Sequence, residues 1–181
     1  MVHVPSFFEE LQALKSKGLD TEERIFISDR AHITFDLHKI LDGLEEEELA
    51  GSAVGTTKKG IGPTYSSKAS RSNARIADIF HKEALGNKLK ALEASARKRF
   101  GNLFESEGYN IEQELAKFDA YRDTLRPFVI DAVPFITELP SETDLLVEGA
   151  NALMVRVFKG NSPSHTEKLI HRYAQLDLDY G

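Results

Sequence analysis

Apolar residues recur along this chain in two rhythms, and the alternation between them predicts the fold. Val2-His-Val4 reads as a short strand. Behind it, Ser6 and Glu9 stand at capping-box spacing, and Phe7, Phe8, Leu11 and Leu14 make one helical face that runs to Gly18. Ile25 to Ser28 is a short continuous apolar run of the kind buried in a parallel sheet. Ile33 to Leu49 returns to helical spacing, with Ile33, Leu37, Ile40, Leu41 and Leu44 on one side. Its far end carries the acids Glu45 to Glu48, which read as a solvated helix end.

Arg75 to Leu125 is helical again: a basic amphipathic stretch around Lys88 to Phe100, then Ile111 to Leu125 behind Asn110. The cations Lys88, Lys90, Arg97, Lys98 and Arg99 are interrupted by Glu93 and read as a water-facing surface. Pro127 stops the helical region, Phe128 to Ile136 is ambiguous between strand and helix, and Asp144 to Glu148 is a strand candidate leading into Gly149-Ala-Asn151. Together these predict an α/β fold: a mostly parallel central sheet holding Val2–Val4, Ile25–Ser28 and Leu145–Glu148, with flanking helices and a helical subdomain over about 75–125.

Composition narrows the function classes. In 181 residues, 41% hydrophobic and 29% charged, the balance is that of a globular protein. The net charge of −6 argues against a general nucleic-acid binder. With no cysteine there is no disulfide, thiol nucleophile or thiolate metal site. No apolar run reaches the roughly 18 residues of a membrane span, and the amino end has no signal-peptide pattern, so the expectation is a cytoplasmic protein without a membrane partner.

Against that acidic background, Leu49 to Ala77 contains no acid and is rich in glycine, hydroxyls and cations. Within it, Gly55, Gly60 and Gly62 allow positive φ and close approach of a ligand to the main chain, whose N–H groups can form an anion-binding concavity. Thr56, Thr57, Ser66 and Ser67 add hydroxyls. On a helix starting near Pro63, Lys68 and Arg71 would share a face, and arginine suits bidentate capture of phosphate. The stretch predicts a site for a small anionic ligand. It is neither common phosphate motif: Ile61-Gly62 stands where a Walker A sequence needs Lys-Ser/Thr, and Tyr65 occupies the third glycine of a dinucleotide fingerprint.

Gly55 to Arg71 closely resembles the signature of adenylosuccinate synthetases, above all in Gly60-Ile-Gly-Pro63, Tyr65, Lys68 and Arg71. Val2 to Phe8, Phe26 to His32 and Leu146 to Met154 resemble the same family in its fungal form. The resemblance implies a P-loop-NTPase-like ligase fold. It also implies GTP-dependent joining of IMP and L-aspartate with Mg²⁺, giving adenylosuccinate, GDP and phosphate in AMP biosynthesis. By the same resemblance Thr57 and Asn151 contact IMP, and Arg71 reaches IMP in the neighbouring subunit of a homodimer. Lys68, Gly60 and Gly62 support the signature loop.

Family members are considerably longer, and residues 1–154 look like their middle. The family's phosphate loop, Gly-Asp-Glu-Gly-Lys-Gly-Lys, is not in the sequence, nor are the catalytic Asp and His that accompany it. No catalytic residue and no metal ligand is therefore assigned within the chain. His32, beside Asp29 and Arg30, reads as part of a structural polar network, and His3, His38 and His81 as structural residues. Alternative readings are a non-catalytic purine-nucleotide-binding or dimerising fragment, and a non-functional truncated product.

Val155 to Gln175 resembles nothing in the family, whereas Leu176 to Gly181 resumes it. Deleting 155–175 would join Met154 to Leu176 in family register. A valine codon begins with GT and a glutamine codon can end in AG, the dinucleotides that bound introns, so the segment reads as translated intron, with a genuine surface insertion as the alternative, and is expected to form a poorly packed loop or an isolated helical turn. Two outcomes follow. The mature transcript should lack the codons for Val155 to Gln175; sequencing that finds them in the dominant spliced message overturns the intron reading. The 181-residue polypeptide should form no adenylosuccinate from IMP, GTP and aspartate above a mock preparation.

Overall fold

The computed structural model describes residues 1–21, 23–49, 57–140, 142–144, 146 and 148. It divides into two compact units, 1–132 and 133–181. The first contains the sheet found among the described residues and the helices that carry the signature segment. In the second, the described residues comprise most of a short helix, Ala132–Thr137, and a turn in which Thr143 N–H donates to the Pro140 carbonyl.

The chain opens with a single parallel pairing of Val2 with Ile33, and helix α1 follows at once, from Val4 to Ser16. The expected strand over Val2–Val4 is thus shortened to one residue. Pro5, in the first turn, favours helical φ, and the His3 imidazole caps the helix by accepting the Ser6 N–H. Ser6, expected as the cap, instead places its hydroxyl 2.7 Å from the same His3 nitrogen.

Strand β1, Ile27–Ser28, pairs in parallel with β2, Val129–Ile130, in the register Ile27 with Val129 and Ser28 with Ile130. The ambiguous run after Pro127 is therefore divided, with a strand first and a helix from Ala132. The expected partner of β1 at Leu145–Glu148 lies largely outside the described residues, as do Asn151 and all of 155–181. Beyond β1 a turn at Asp29 and Arg30 leads into an extended stretch that ends at Phe35. Val2 bonds it on one side, and on the other Ala74, Ile76 and Ala77 exchange backbone bonds with Ile33, Ala31 and Asp29. These bonds use main-chain groups that helical periodicity would have placed inside a helix. Helix α2 accordingly begins at Asp36, three positions after Ile33, and runs to Glu48.

The signature segment forms helix α3, Ile61–Ala69. A short 3-10 turn, Ile76–Phe80, leads into α4, Lys82–Phe100, whose buried stripe is Leu85, Leu89, Leu92, Ala96 and Phe100. A one-turn helix α5, Asn102–Ser106, connects it to α6, Ile111–Leu125, capped by Asn110 as expected. Core packing joins these parts: Phe35 of the α2 cap meets Phe118 of α6 edge-on at 5.4 Å, and Phe8 of α1 stacks on Tyr121 at 5.0 Å.

Two buried polar groups hold α2 in place. Glu114 of α6 is 4% exposed and accepts the N–H groups of Asp36 and Leu37 at 2.5 and 3.4 Å, with the Tyr109 hydroxyl on the same carboxylate. It supplies the acceptors that the buried first turn of α2 requires. Burial pushes the Glu114 carboxyl above its usual range, opposed by these hydrogen bonds. His38, fully buried, accepts the Phe35 N–H through Nδ1, which puts the ring proton on Nε2, facing the Ser67 hydroxyl at 3.1 Å. The structural role expected for His38 is thereby confirmed.

Burial lowers the His38 pKa to about 4 from an ordinary 6.5. Between those values the unfolded chain binds a proton that the folded ring does not, so stability falls as pH drops from 6.5 to 4, by about 3 kcal/mol in total. His38→Gln keeps a side chain suited to the third helical position and removes the titration. Urea unfolding across this window should show the loss in the parent chain and a flatter profile in the variant; identical slopes would contradict the assignment.

Candidate functional site

Helix α3 is anchored at its start by Gly60. Its φ is +76°, and an added Cβ would lie 2.8 Å from the backbone of His38 and Lys39, so only glycine fits. Its N–H donates to Asp42 Oδ2 at 2.9 Å. Its carbonyl accepts both the N–H and the hydroxyl of Thr64, at 3.1 and 2.6 Å, and the same hydroxyl reaches Thr34. Pro63, Thr64 and Ser67 form the buried side of α3, while Ile61, Tyr65 and Lys68 stand on the exposed side. Gly62 behaves otherwise than expected: it is helical, and a Cβ there would meet nothing within 4 Å. Gly55 and Thr56 lie outside the described residues.

At the other end, the expectation that Lys68 and Arg71 share a helical face is corrected. The helix stops at Ala69, and Arg71 follows in the left-handed region at φ +59°. Ser72 N–H donates to Ser67 O and Arg71 N–H to Lys68 O, the paired bonds of a Schellman cap. Glycine is the usual occupant of this capping position, since a Cβ is strained there. Buried Asn73 secures the exit by donating to Ile33 O at 3.0 Å. The arginine side chain is exposed where the helix ends.

Charge pairing separates the two basic regions of the chain. In the helical subdomain Arg97 bonds Glu93 and Glu105, Arg99 bonds Glu45 and Glu48, Lys88 bonds Asp78, and Lys82 and Arg122 share Asp119. That surface is largely neutralised rather than merely solvated, and the acidic end of α2 is part of the pairing. Lys68, Arg71 and Arg75 make no ion pair among the described residues. Two of them act on His32: burial chiefly, then the positive charges of Arg75 and Lys68, lower its pKa.

The polar network expected around His32 does not form. Asp29 Oδ1 and His32 Nδ1 are buried without a hydrogen-bond partner among the described residues, and Arg30 lies 3.8 Å from Asp131 instead. Their backbones carry the local structure, through the bonds to Val2, Ala77 and Ile130. Among the described residues no three His, Asp or Glu side chains gather as metal ligands, and no helix is long and apolar enough to cross a membrane.

Of the residues singled out in the sequence, Thr57, exposed, stands just before α3, Gly60 caps it, Gly62 and Lys68 lie on it, and Arg71 lies just after it. Asn151 falls outside the described residues. Sequence reasoning missed Asp42, Thr34 and Asn73. Asp42 and Thr34 touch the segment from positions 18 and 30 residues away, and no local motif marks them. Asn73 borders the signature, but its partner lies 40 residues earlier.

Comparison with known proteins follows the same segment. The sequence profile of the family described as adenylosuccinate synthetase matches residues 1–169. The adenylosuccinate synthetases of Ajellomyces dermatitidis and Talaromyces marneffei are 52% and 49% identical over 164 residues, 90% of this chain. The chain spans 38% of the length of each. Among solved structures, fully ligated adenylosuccinate synthetase from Plasmodium falciparum superposes with a TM-score of 0.64 at 34% identity, over 76% of this chain and 31% of that one.

The strained arginine gives a direct test of what α3 is built for. Arg71→Gly should stabilise the fold by about 0.5–1 kcal/mol, because glycine removes the cost of positive φ. Thermal unfolding should shift up by about 2–4 °C per kcal/mol for a chain of this size. A lower melting temperature would mean that the Arg71 side chain makes stabilising contacts within the fold.

Proposed function

Because the chain belongs to the adenylosuccinate synthetase family, we propose that residues 57–71 form the part of an IMP site that takes the 5′-phosphate, in the GTP-dependent ligation of IMP with L-aspartate. The observation that carries this reading is the set of cations without carboxylate partners at the end of α3, in a chain whose other basic helix is largely ion-paired. A phosphate supplies the compensating charge, and the Arg71 guanidinium can hold two of its oxygens at once. Arginine replaces the favoured glycine at a strained capping position, an exchange that function rather than stability explains.

The overall reaction balances within the family scheme. The GTP γ-phosphoryl moves to the purine 6-oxygen, and the aspartate amine displaces it, leaving adenylosuccinate, GDP and phosphate. Mg²⁺ would assist at the nucleotide phosphates, and the described residues offer no cluster to hold it. This segment's share is to bind and orient. The Thr57 hydroxyl donates to the IMP phosphate, Lys68 and Arg71 neutralise it, and Asn151 contacts the same substrate. A cytoplasmic homodimer completes the proposal.

Helix length supports the dimer. The nine residues of α3 span about 13 Å, so Thr57 at one end and Arg71 at the other do not meet on one phosphate within a subunit. Arg71 instead serves the neighbouring subunit. Ile61 and Tyr65, 46% and 47% exposed on the same side as Lys68, give that approach an apolar surface.

The test places residues 1–154 in the corresponding stretch of a full-length fungal relative. Arg71→Leu should raise the KM for IMP by about 10- to 100-fold, the worth of one charge-assisted bond, and leave that for GTP nearly unchanged. Mixing this variant with Thr57→Ala should restore activity, since each mixed dimer regains one site with both groups intact. An equal rise for GTP overturns the IMP assignment; no restoration overturns the cross-subunit role.

A further inference from the structure

The Thr57 loop depends on a group outside it, and we propose that Asp42 is a positioning residue for phosphate capture, an inference that rests on the IMP reading above. Asp42 Oδ2 receives the Gly60 N–H at 2.9 Å from the second turn of α2. That N–H belongs to the peptide plane joining Lys59 to Gly60, the plane through which the chain passes back toward Thr57. Everything beyond it on the helical side is already held. The Gly60 carbonyl is taken by Thr64, and the Gly60 Cα is seated on the His38–Lys39 backbone.

Glycine itself imposes little on φ, so the orientation of the Lys59–Gly60 plane has to be set from outside. The Asp42 carboxylate sets it with a charge-assisted bond. The charge also sits favourably at the positive end of α3. Lys58, at φ +53°, shows that the loop keeps an unusual backbone course just beyond that plane. Without Asp42 the plane is free to turn, and the Thr57 hydroxyl turns with it. Asp42 acts through Gly60 and touches no substrate.

The distinguishing property is that the hydrogen bond matters rather than the charge. In the full-length enzyme carrying residues 1–154, Asp42→Ala should raise the KM for IMP about 10-fold while kcat and the KM for GTP change less than about 2-fold. Asp42→Asn keeps an acceptor oxygen and should stay within about 3-fold of the parent. Asp42→Ser, whose hydroxyl is one bond shorter, should behave like alanine and serves if Asp42→Ala fails to fold. In the full 181-residue chain, Gly60 amide exchange should quicken at least 10-fold in Asp42→Ser while amides of α4 are unaffected.

Thr57→Ala separates the two claims. If it leaves the KM for IMP unchanged, the IMP reading itself fails. If it raises that KM but Asp42→Ala and Asp42→Ser do not, or if Asp42→Asn is as impaired as alanine, or if IMP and GTP suffer equally, the positioning role is overturned.

Discussion

Every part of the described site hangs on the first turns of α2, because a helix that begins inside a core must find acceptors for its leading N–H groups. Glu114 supplies them from α6, so the helical subdomain is joined to the sheet side by a buried carboxylate rather than by apolar packing alone. His38 supplies another from within α2 and passes its remaining proton toward Ser67 of α3. One turn later Asp42 and the His38–Lys39 backbone receive Gly60. The loop that leads into α3 is therefore positioned by the same helix whose own start depends on a residue 78 positions away.

The electrostatics divide along the same lines. Asp36, at the head of α2, sits among His3, Lys117 and Lys39, whose hydrogen bonds hold its carboxyl well below the ordinary range despite burial. Such clusters neutralise themselves and leave little for a ligand. Around α3 the compensation is missing: Lys68, Arg71 and Arg75 lower the pKa of His32 or stand exposed, but none is matched by an acid among the described residues. Strain accompanies the unmatched charge at Arg71, which lies in the left-handed region. Unpaired charge and non-glycine positive φ each cost stability, and the two coincide at Arg71, just past the end of α3.

Much of this was legible in the chain itself. Helical periodicity and Asn110 located α6, the apolar spacing located α4, and the acid-free glycine stretch pointed to the segment around Gly60, because these signals are local and repeat within a few residues. Strand limits were less legible. Val4 and Ile33 look the same in an apolar pattern whether they are strand or helix. Pro5 and the His3 cap decide the first, and backbone partners in residues 2 and 74 decide the second.

The remaining decisions belong to tertiary structure. Sequence alone identified the cations, hydroxyls and glycines of the signature, since chemical type is written in composition. It could not tell that Arg97 and Arg99 are paired while Lys68 and Arg71 are not, because pairing depends on which acids the fold brings alongside. Nor could it show that Arg71 leaves the helix into a strained cap, which turns on where the helical hydrogen bonds end. Asp42 became visible only as the acceptor of a Gly60 N–H 18 residues further on. A hydrogen bond is a relation between positions in space, and along a chain only its short-range cases leave a pattern.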